Sequence, residues 1–138
     1  MKLTNFELIT MFNTLDGYAN KKLPQKISYA ITKNIIILRG ECECYEKELQ
    51  KLFSEYDDKA VKDDKGNTKY NQYNIPIIQK EFSEDFDKEL SELLNIQLDI
   101  SLYTVDDSVF DYEDSDRYDC LTPFDIVKLQ DIICKHEE

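Results

Sequence analysis

Apolar side chains recur every three or four residues over roughly 30 positions in the first half of the chain. They are Ile27, Ile31, Leu38, Cys42, Tyr45, Leu49, Leu52 and Tyr56, with Asn34 in the single gap of the series. A period of about 3.5 residues kept for this long is typical of a helix that packs along one stripe. At 1.5 Å per residue, such a helix measures on the order of 50 Å. The sequence therefore predicts a long helix over residues 24–57, with Pro24 in its first turn.

Two features inside this helix disfavour helical structure, but neither interrupts the period. Ile35, Ile36 and Ile37 are β-branched and are also compatible with a short strand. Gly40 costs about 1 kcal/mol relative to Ala in a helix interior. We give the name apolar seam to Ile27, Ile31, Asn34, Leu38, Tyr45, Leu49 and Leu52. The seam packs either against a second helix of the same chain or against a second copy in a homodimer, where Asn34 would fix the register.

The remaining patterns predict shorter elements. They are a helix at 5–19, a hairpin or loop at 58–74, a helix at 76–95, a strand at 96–104, an acidic loop at 105–120 and a helix at 122–136. Thr4 and Glu7 fit a capping box for the first helix. Thr122 is a good N-cap for the last helix, where Asp125 completes a second capping box. Phe124, Val127, Ile132 and Ile133 are expected to face the core from that last helix.

The order of these elements predicts the fold class. The connection between the helices at 24–57 and 76–95 is short and polar, so we expect them to pair antiparallel. The prediction is an α+β protein that is mainly α, with short N- and C-terminal helices and one small β hairpin or sheet. A chain of 138 residues is expected to form a single domain, residues 1–138.

Charge is distributed unevenly along the chain. The formal net charge is −12, yet residues 1–40 hold six Lys or Arg and only two acids. Residues 41–138 hold 11 Lys or Arg and 27 acids. Affinity for phosphates needs a basic surface, so direct nucleic-acid binding is disfavoured and a basic partner is favoured.

The cysteines and the hydropathy pattern predict where the protein acts. Cys42, Cys44, Cys120 and Cys134 occur without an N-terminal secretion signal, so reduced thiols in a cytoplasm are expected. No run of about 20 apolar residues occurs, so no membrane partner is expected.

Half of the net charge lies in residues 106–119, the acidic run, which hold seven acids and one Arg. Apolar and aromatic side chains are interleaved with the acids, as in surfaces that bind a protein partner. The predicted partner-binding residues are Asp106, Asp107, Phe110, Asp111, Tyr112, Glu113, Asp114, Asp116 and Tyr118. The alternative is a solvated acidic loop that places Phe110 in its own core.

No residue pattern predicts catalysis, a cofactor or a metal site. The chain has three Gly and no Gly-rich phosphate loop, and its one histidine, His136, lies near the C-terminus. Cys42 and Cys44 lie two residues apart on a predicted helix, where their side chains diverge. An EF-hand frame that starts at Asp114 has Asp119 where the loop needs Gly and Asp125 where it needs a bidentate Glu.

Five stretches occur in an informative order: "MKLTNFELI", "KKLPQKISYAITKN", "YEKELQKLFSEY", "ELLNIQLDI" and "LTPFDIVKLQDII". Together they resemble a small uncharacterised family encoded by bacteriophages and prophages of low-GC Gram-positive bacteria. The resemblance implies a phage origin, a cytoplasmic location in an infected cell and no catalytic residues. The acidic run looks enlarged relative to that family.

Charge and resemblance together predict a non-enzymatic phage accessory protein that binds a host macromolecule. The first interpretation is inhibition of a host antiphage defence system through the acidic surface, with a defence protein or nucleoprotein as partner. One alternative is an assembly or tail-associated structural protein that uses the apolar seam. A second is sequestration of a nucleotide immune signal by the basic N-terminal third.

Overall fold

The computed structural model describes residues 1–113 and 116–135. Its helices and strands are β1 (Lys2–Thr4), α1 (Asn5–Asp16), α2 (Gln25–Glu55), α3 (Lys80–Leu94), β2 (Gln97–Asp99) and α4 (Pro123–Ile133). Single 3₁₀ turns cover Asp57–Lys59 and Asp107–Phe110. The protein is α+β and mainly α, with a small two-stranded antiparallel sheet, as the sequence predicts.

Contacts within the chain distinguish two compact units. Unit 1 comprises Met1–Cys42 and Gln97–Glu138, and unit 2 comprises Glu43–Ile96. The long helix α2 contributes residues 25–42 to unit 1 and residues 43–55 to unit 2. The sequence predicts one domain over residues 1–138 and does not indicate this division into two units.

Unit 1 is built around the first half of the apolar seam. Ile27, Ile31 and Leu38 are at most 2% exposed and belong to one buried cluster with side chains from α1 and α4. These include Leu8, Leu15, Leu129 and Ile133, all fully buried. Beside this core, β1 pairs antiparallel with β2 in a register that places Leu3 opposite Leu98.

Asn34, the polar member of the seam, is fully buried in unit 1. Its amide nitrogen donates to the carbonyl oxygen of Tyr103 at 2.9 Å, and its amide oxygen accepts from the backbone N–H of Tyr103 at 2.7 Å. An asparagine side chain carries one donor group and one acceptor, so Asn34 forms the two hydrogen bonds that a neighbouring strand would otherwise form with the backbone of Tyr103. Asn34 therefore orders a segment of its own chain.

Four predicted boundaries differ from the structure by three or more residues. The helix predicted at 5–19 ends at Asp16, where the N–H groups of Tyr18 and Ala19 donate three residues back. The helix predicted at 122–136 ends at Ile133, because Cys134 bridges to Val105.

Backbone pairing is the cause of the other two differences. The strand predicted at 96–104 pairs only over Gln97–Asp99, because the N–H of Ile100 donates to Met1, where the partner strand ends. The helix predicted at 76–95 begins at Lys80, because Pro76 and Ile78 form antiparallel bridges with earlier residues.

In unit 2, the end of α2 packs against α3. The Tyr56 and Phe86 rings meet edge to face at 5.1 Å between centroids, and the Tyr56 hydroxyl donates to Glu89 at 2.7 Å. One turn later the Lys59 ammonium lies 5.3 Å from the Phe82 ring centroid. The partner numbers fall as the chain advances, so the two helices run antiparallel, as predicted.

The segment predicted as a hairpin or loop forms a three-sided arrangement of extended chain. The N–H of Val61 donates to Ile77 at 2.7 Å, that of Ile77 donates to Lys69 at 2.9 Å, and that of Lys69 donates to Val61 at 2.9 Å. These three residues are spaced eight apart, and their hydrogen bonds close a ring. Three bridges, Ala60 to Ile78, Lys62 to Thr68 and Tyr70 to Pro76, surround the ring.

The two turns that connect these sides have the same structure. The Oδ1 atom of Asp63 accepts from the N–H groups two and four residues later at 2.9 Å each, and Asn71 does the same at 2.8 and 3.1 Å. Three residues after each of them the backbone has positive φ, +81° at Gly66 and +62° at Asn74. The sequence predicts no internal repeat here. The two turns have only two pairs of similar residues in common, Asp63 with Asn71 and Gly66 with Asn74.

Candidate partner-binding surface

The acidic run begins with a capped turn in unit 1. The Oδ1 atom of Asp106 accepts from the N–H of Ser108 at 3.0 Å and starts the 3₁₀ turn Asp107–Phe110. This hydrogen bond holds the pKa of Asp106 below its usual value. Just before it, the N–H of Val105 donates to Ile133 at 2.8 Å, which ties the start of the run to the end of α4.

The apolar side chains of the run point towards unit 1 itself. Val109, Phe110 and Tyr112 are half-buried and pack against the unit 1 core. The Tyr112 ring meets the Tyr118 ring edge to face at 5.7 Å between centroids. The aromatic residues predicted to contact a partner therefore act first as attachments of the run to its own unit.

A third attachment lies near the end of the run. The N–H of Asp119 donates to the carbonyl oxygen of Lys22 at 2.7 Å, and the N–H of Lys22 donates to Asp119 Oδ2 at 2.6 Å. The basic stretch before α2 thus meets the acidic run through its backbone. The run is held at its start, its middle and its end.

The carboxylates of the run that the structure describes face solvent. Asp106, Asp107, Asp111, Glu113 and Asp116 are all exposed. The remaining predicted site residue, Asp114, lies outside the described residues. An attached segment with outward carboxylates gives unit 1 a negative surface that attracts cationic groups and repels phosphates.

Behind the run, the Cys134 thiol is an inert part of the core. It is 3% exposed, and burial together with the neighbouring Asp107 raises its pKa to about 12. A thiol with that pKa stays protonated at neutral pH and is a poor nucleophile.

A groove between α1 and α4 is a second surface feature of unit 1. It has a volume of about 310 Å³ and an apolar lining that includes Leu3, Met11 and Ile132. The Tyr18 hydroxyl, two residues after the end of α1, donates to Asp125 of α4 at 2.5 Å.

Three exposed hydrophobic side chains lie on these two helices: Phe6 at 60%, Phe124 at 69% and Val127 at 53%. The prediction that Phe124 and Val127 face the core is wrong, whereas Ile132 and Ile133 are buried as predicted. α4 carries more apolar residues than one buried stripe needs, so the sequence already indicated that some of them would be exposed.

The seam residues of unit 2 are covered less completely than those of unit 1. Tyr45 and Leu49 are half-buried, and Leu52 is 8% exposed in a cluster with Tyr56 and Phe86. Ile27, Ile31 and Leu38 of the seam pack in the unit 1 core, and Leu52 packs in the unit 2 core.

Within residues 1–113 and 116–135, no group of three or more His, Cys, Asp or Glu side chains is arranged to hold a metal ion. Over the same residues, no helix is both long enough and apolar enough to cross a bilayer.

No family model, no curated protein and no solved structure matches this chain. The resemblance to a phage-encoded family therefore stays a prediction.

Proposed function

We propose that this protein is a non-enzymatic binding protein that presents the acidic run to a basic surface of a macromolecular partner. In the setting that the resemblance implies, it is a phage accessory protein and its partner belongs to a host antiphage defence system. Binding would occupy a basic site that the partner uses for nucleic acid. The observation that supports this proposal is the row of exposed carboxylates on a segment attached at three places.

Attachment matters because a mobile segment loses conformational entropy when it binds. Ordering one residue costs roughly 1–2 kcal/mol of conformational free energy. The contacts of Asp106, Phe110 and Asp119 already order the run in the folded protein, so much of this loss does not occur again on binding. The carboxylates then increase the association rate with a basic surface, an effect that salt screens.

The experiment starts with capture of the partner from infected host cells on the tagged full-length protein. Binding of the purified partner is then compared for the wild type and an Asp111→Asn, Glu113→Gln, Asp116→Asn variant. We expect the variant to bind at least about tenfold more weakly and to lose most of its salt dependence.

A matched control removes three charges from exposed positions of unit 2: Glu46→Gln, Glu84→Gln and Asp87→Asn. It should bind like the wild type. Equal binding by both variants with unchanged salt dependence would refute the role of the acidic run. Recovery of the protein as a component of purified virions would favour the assembly alternative instead.

A further inference from the structure

Unit 2 has a groove of its own between α2 and α3, with a volume of about 410 Å³. Its apolar lining, which we call the floor, includes Leu93, which is half-buried, and Ile96, which is 48% exposed. An isoleucine with nearly half of its surface in water at the end of a helix pair leaves apolar area that a partner can cover.

Carboxylates surround this floor. Glu48, Glu55, Glu89 and Glu92 line the groove and are exposed, and Lys51 is the one basic residue among the lining side chains. The Lys51 ammonium lies 3.0 Å from Glu48, which neutralises one of the four acids. The border of the groove therefore remains strongly negative.

One of these carboxylates is fixed in position. Glu89 accepts from the Tyr56 hydroxyl at 2.7 Å, and the Tyr56 ring is itself packed against Phe86. This hydrogen bond is the first cause that raises the Tyr56 pKa to about 12, so the hydroxyl remains a donor at any physiological pH. The groove thus presents an ordered negative group beside its apolar floor.

We propose that this groove docks a basic amphipathic helix of a protein partner. A groove between two antiparallel helices can accept the apolar face of a third helix. The apolar face of that helix would cover Leu93 and Ile96, and its flanking Lys or Arg side chains would meet Glu55 and Glu92. Nucleic acid and anionic lipid are disfavoured occupants, because the carboxylates repel their phosphates.

This site lies in unit 2, whereas the acidic run lies in unit 1, so the inference goes beyond the proposed function. The two proposals, partner binding by the acidic run and helix docking in the groove, can fail independently. The Asp111, Glu113 and Asp116 variant leaves the groove intact, and changes in the groove leave the acidic run intact.

The test uses the full-length protein and a fluorescein-labelled peptide of about 14 Leu and Lys residues, arranged to form one apolar helix face. Fluorescence anisotropy should detect binding to the wild type. The double variant Glu55→Gln with Glu92→Gln should weaken binding about tenfold, and so should Ile96→Asn. The matched control Glu46→Gln with Glu84→Gln, also exposed on α2 and α3, should bind like the wild type.

A scrambled peptide of the same composition separates docking from general charge attraction. It should bind at least about tenfold more weakly, because it has no continuous apolar face. Equal binding of the two peptides, or equal losses in the groove variant and its control, would overturn the proposal. NMR shift mapping on the wild type gives a readout independent of variant folding, with changes expected over residues 48–55 and 89–96. Changes centred elsewhere would also overturn it.

Discussion

Unit 1 and unit 2 are stabilised by different means. Among the residues that the structure describes, the core cluster of unit 1 holds 17 buried residues and that of unit 2 holds five, so unit 2 must gain more of its order from other contacts. Those contacts are local: a ring of three backbone hydrogen bonds and two turns closed by Asp63 and Asn71. Unit 1 instead joins residues far apart in sequence, as Asn34 and Tyr103 show. Because the core of unit 2 is small, we expect that truncating one of its core side chains destabilises unit 2 selectively, which no surface substitution should do.

The largest effect is expected for Phe86→Ala in unit 2. Phe86 is 2% exposed and contacts the rings of Phe53 and Tyr56, so its truncation should cost about 3–5 kcal/mol in the free energy of unfolding. Denaturant unfolding measures the loss, and hydrogen exchange locates it. Amides of residues 43–96 should lose protection first.

Phe124→Ala is the matched control for this truncation. Phe124 is 69% exposed, so its loss should change stability by less than about 0.5 kcal/mol. If Phe86→Ala lowers protection equally throughout residues 1–135, the two units unfold as one and the proposed contrast between them is wrong.

The next effect in size is expected for Asn34→Leu in unit 1. Leucine has a similar size but neither donates nor accepts, so the N–H and C=O of Tyr103 lose their partners. Leaving such groups unpaired should cost about 1–3 kcal/mol. Thr32→Val, at an exposed position of the same helix, should be close to neutral. Hydrogen exchange should show faster exchange at Tyr103; unchanged exchange there would contradict the role assigned to Asn34.

Periodic features of the fold were predictable from the sequence. The seam kept its phase through Ile35 and Gly40, and α2 is one helix as predicted. Both capping boxes, at Thr4 and Thr122, are confirmed, because the cap residue and its partner lie three residues apart. Such local patterns depend on helix geometry alone.

The contacts between distant segments were not predictable. The pairing of Asn34 with Tyr103 spans 69 residues and leaves no periodic trace. The acidic run has no regular period, so the sequence could not show which side chains face inward. Its exposed carboxylates follow from charge, but the half-buried position of Phe110 required the structure.

The turns of unit 2 allow a smaller test. Gly66 has φ of +81°, a conformation that costs an L-residue about 1–2 kcal/mol, so Gly66→Ala should destabilise the protein by about that amount. Gly66→Asn should cost less, because Asn74 already occupies the equivalent position of the second turn with φ of +62°. Thermal unfolding of the two variants measures the difference. Equal losses would mean that the turns are not equivalent.

The smallest effect is expected for Gly40→Ala, and its sign is opposite to that of Gly66→Ala. Gly40 lies inside α2, is exposed, and a Cβ atom added there meets nothing within 4 Å. Alanine is favoured over glycine in a helix interior, so the variant should be more stable by about 0.5–1 kcal/mol. Thermal unfolding beside Gly66→Ala compares two glycines, one that the backbone requires and one that it does not. A destabilised Gly40→Ala would show that the helix is strained at this position. A stabilised variant that no longer bound its partner would show that the exposed backbone at Gly40 contributes to recognition, because folding alone does not need a glycine there.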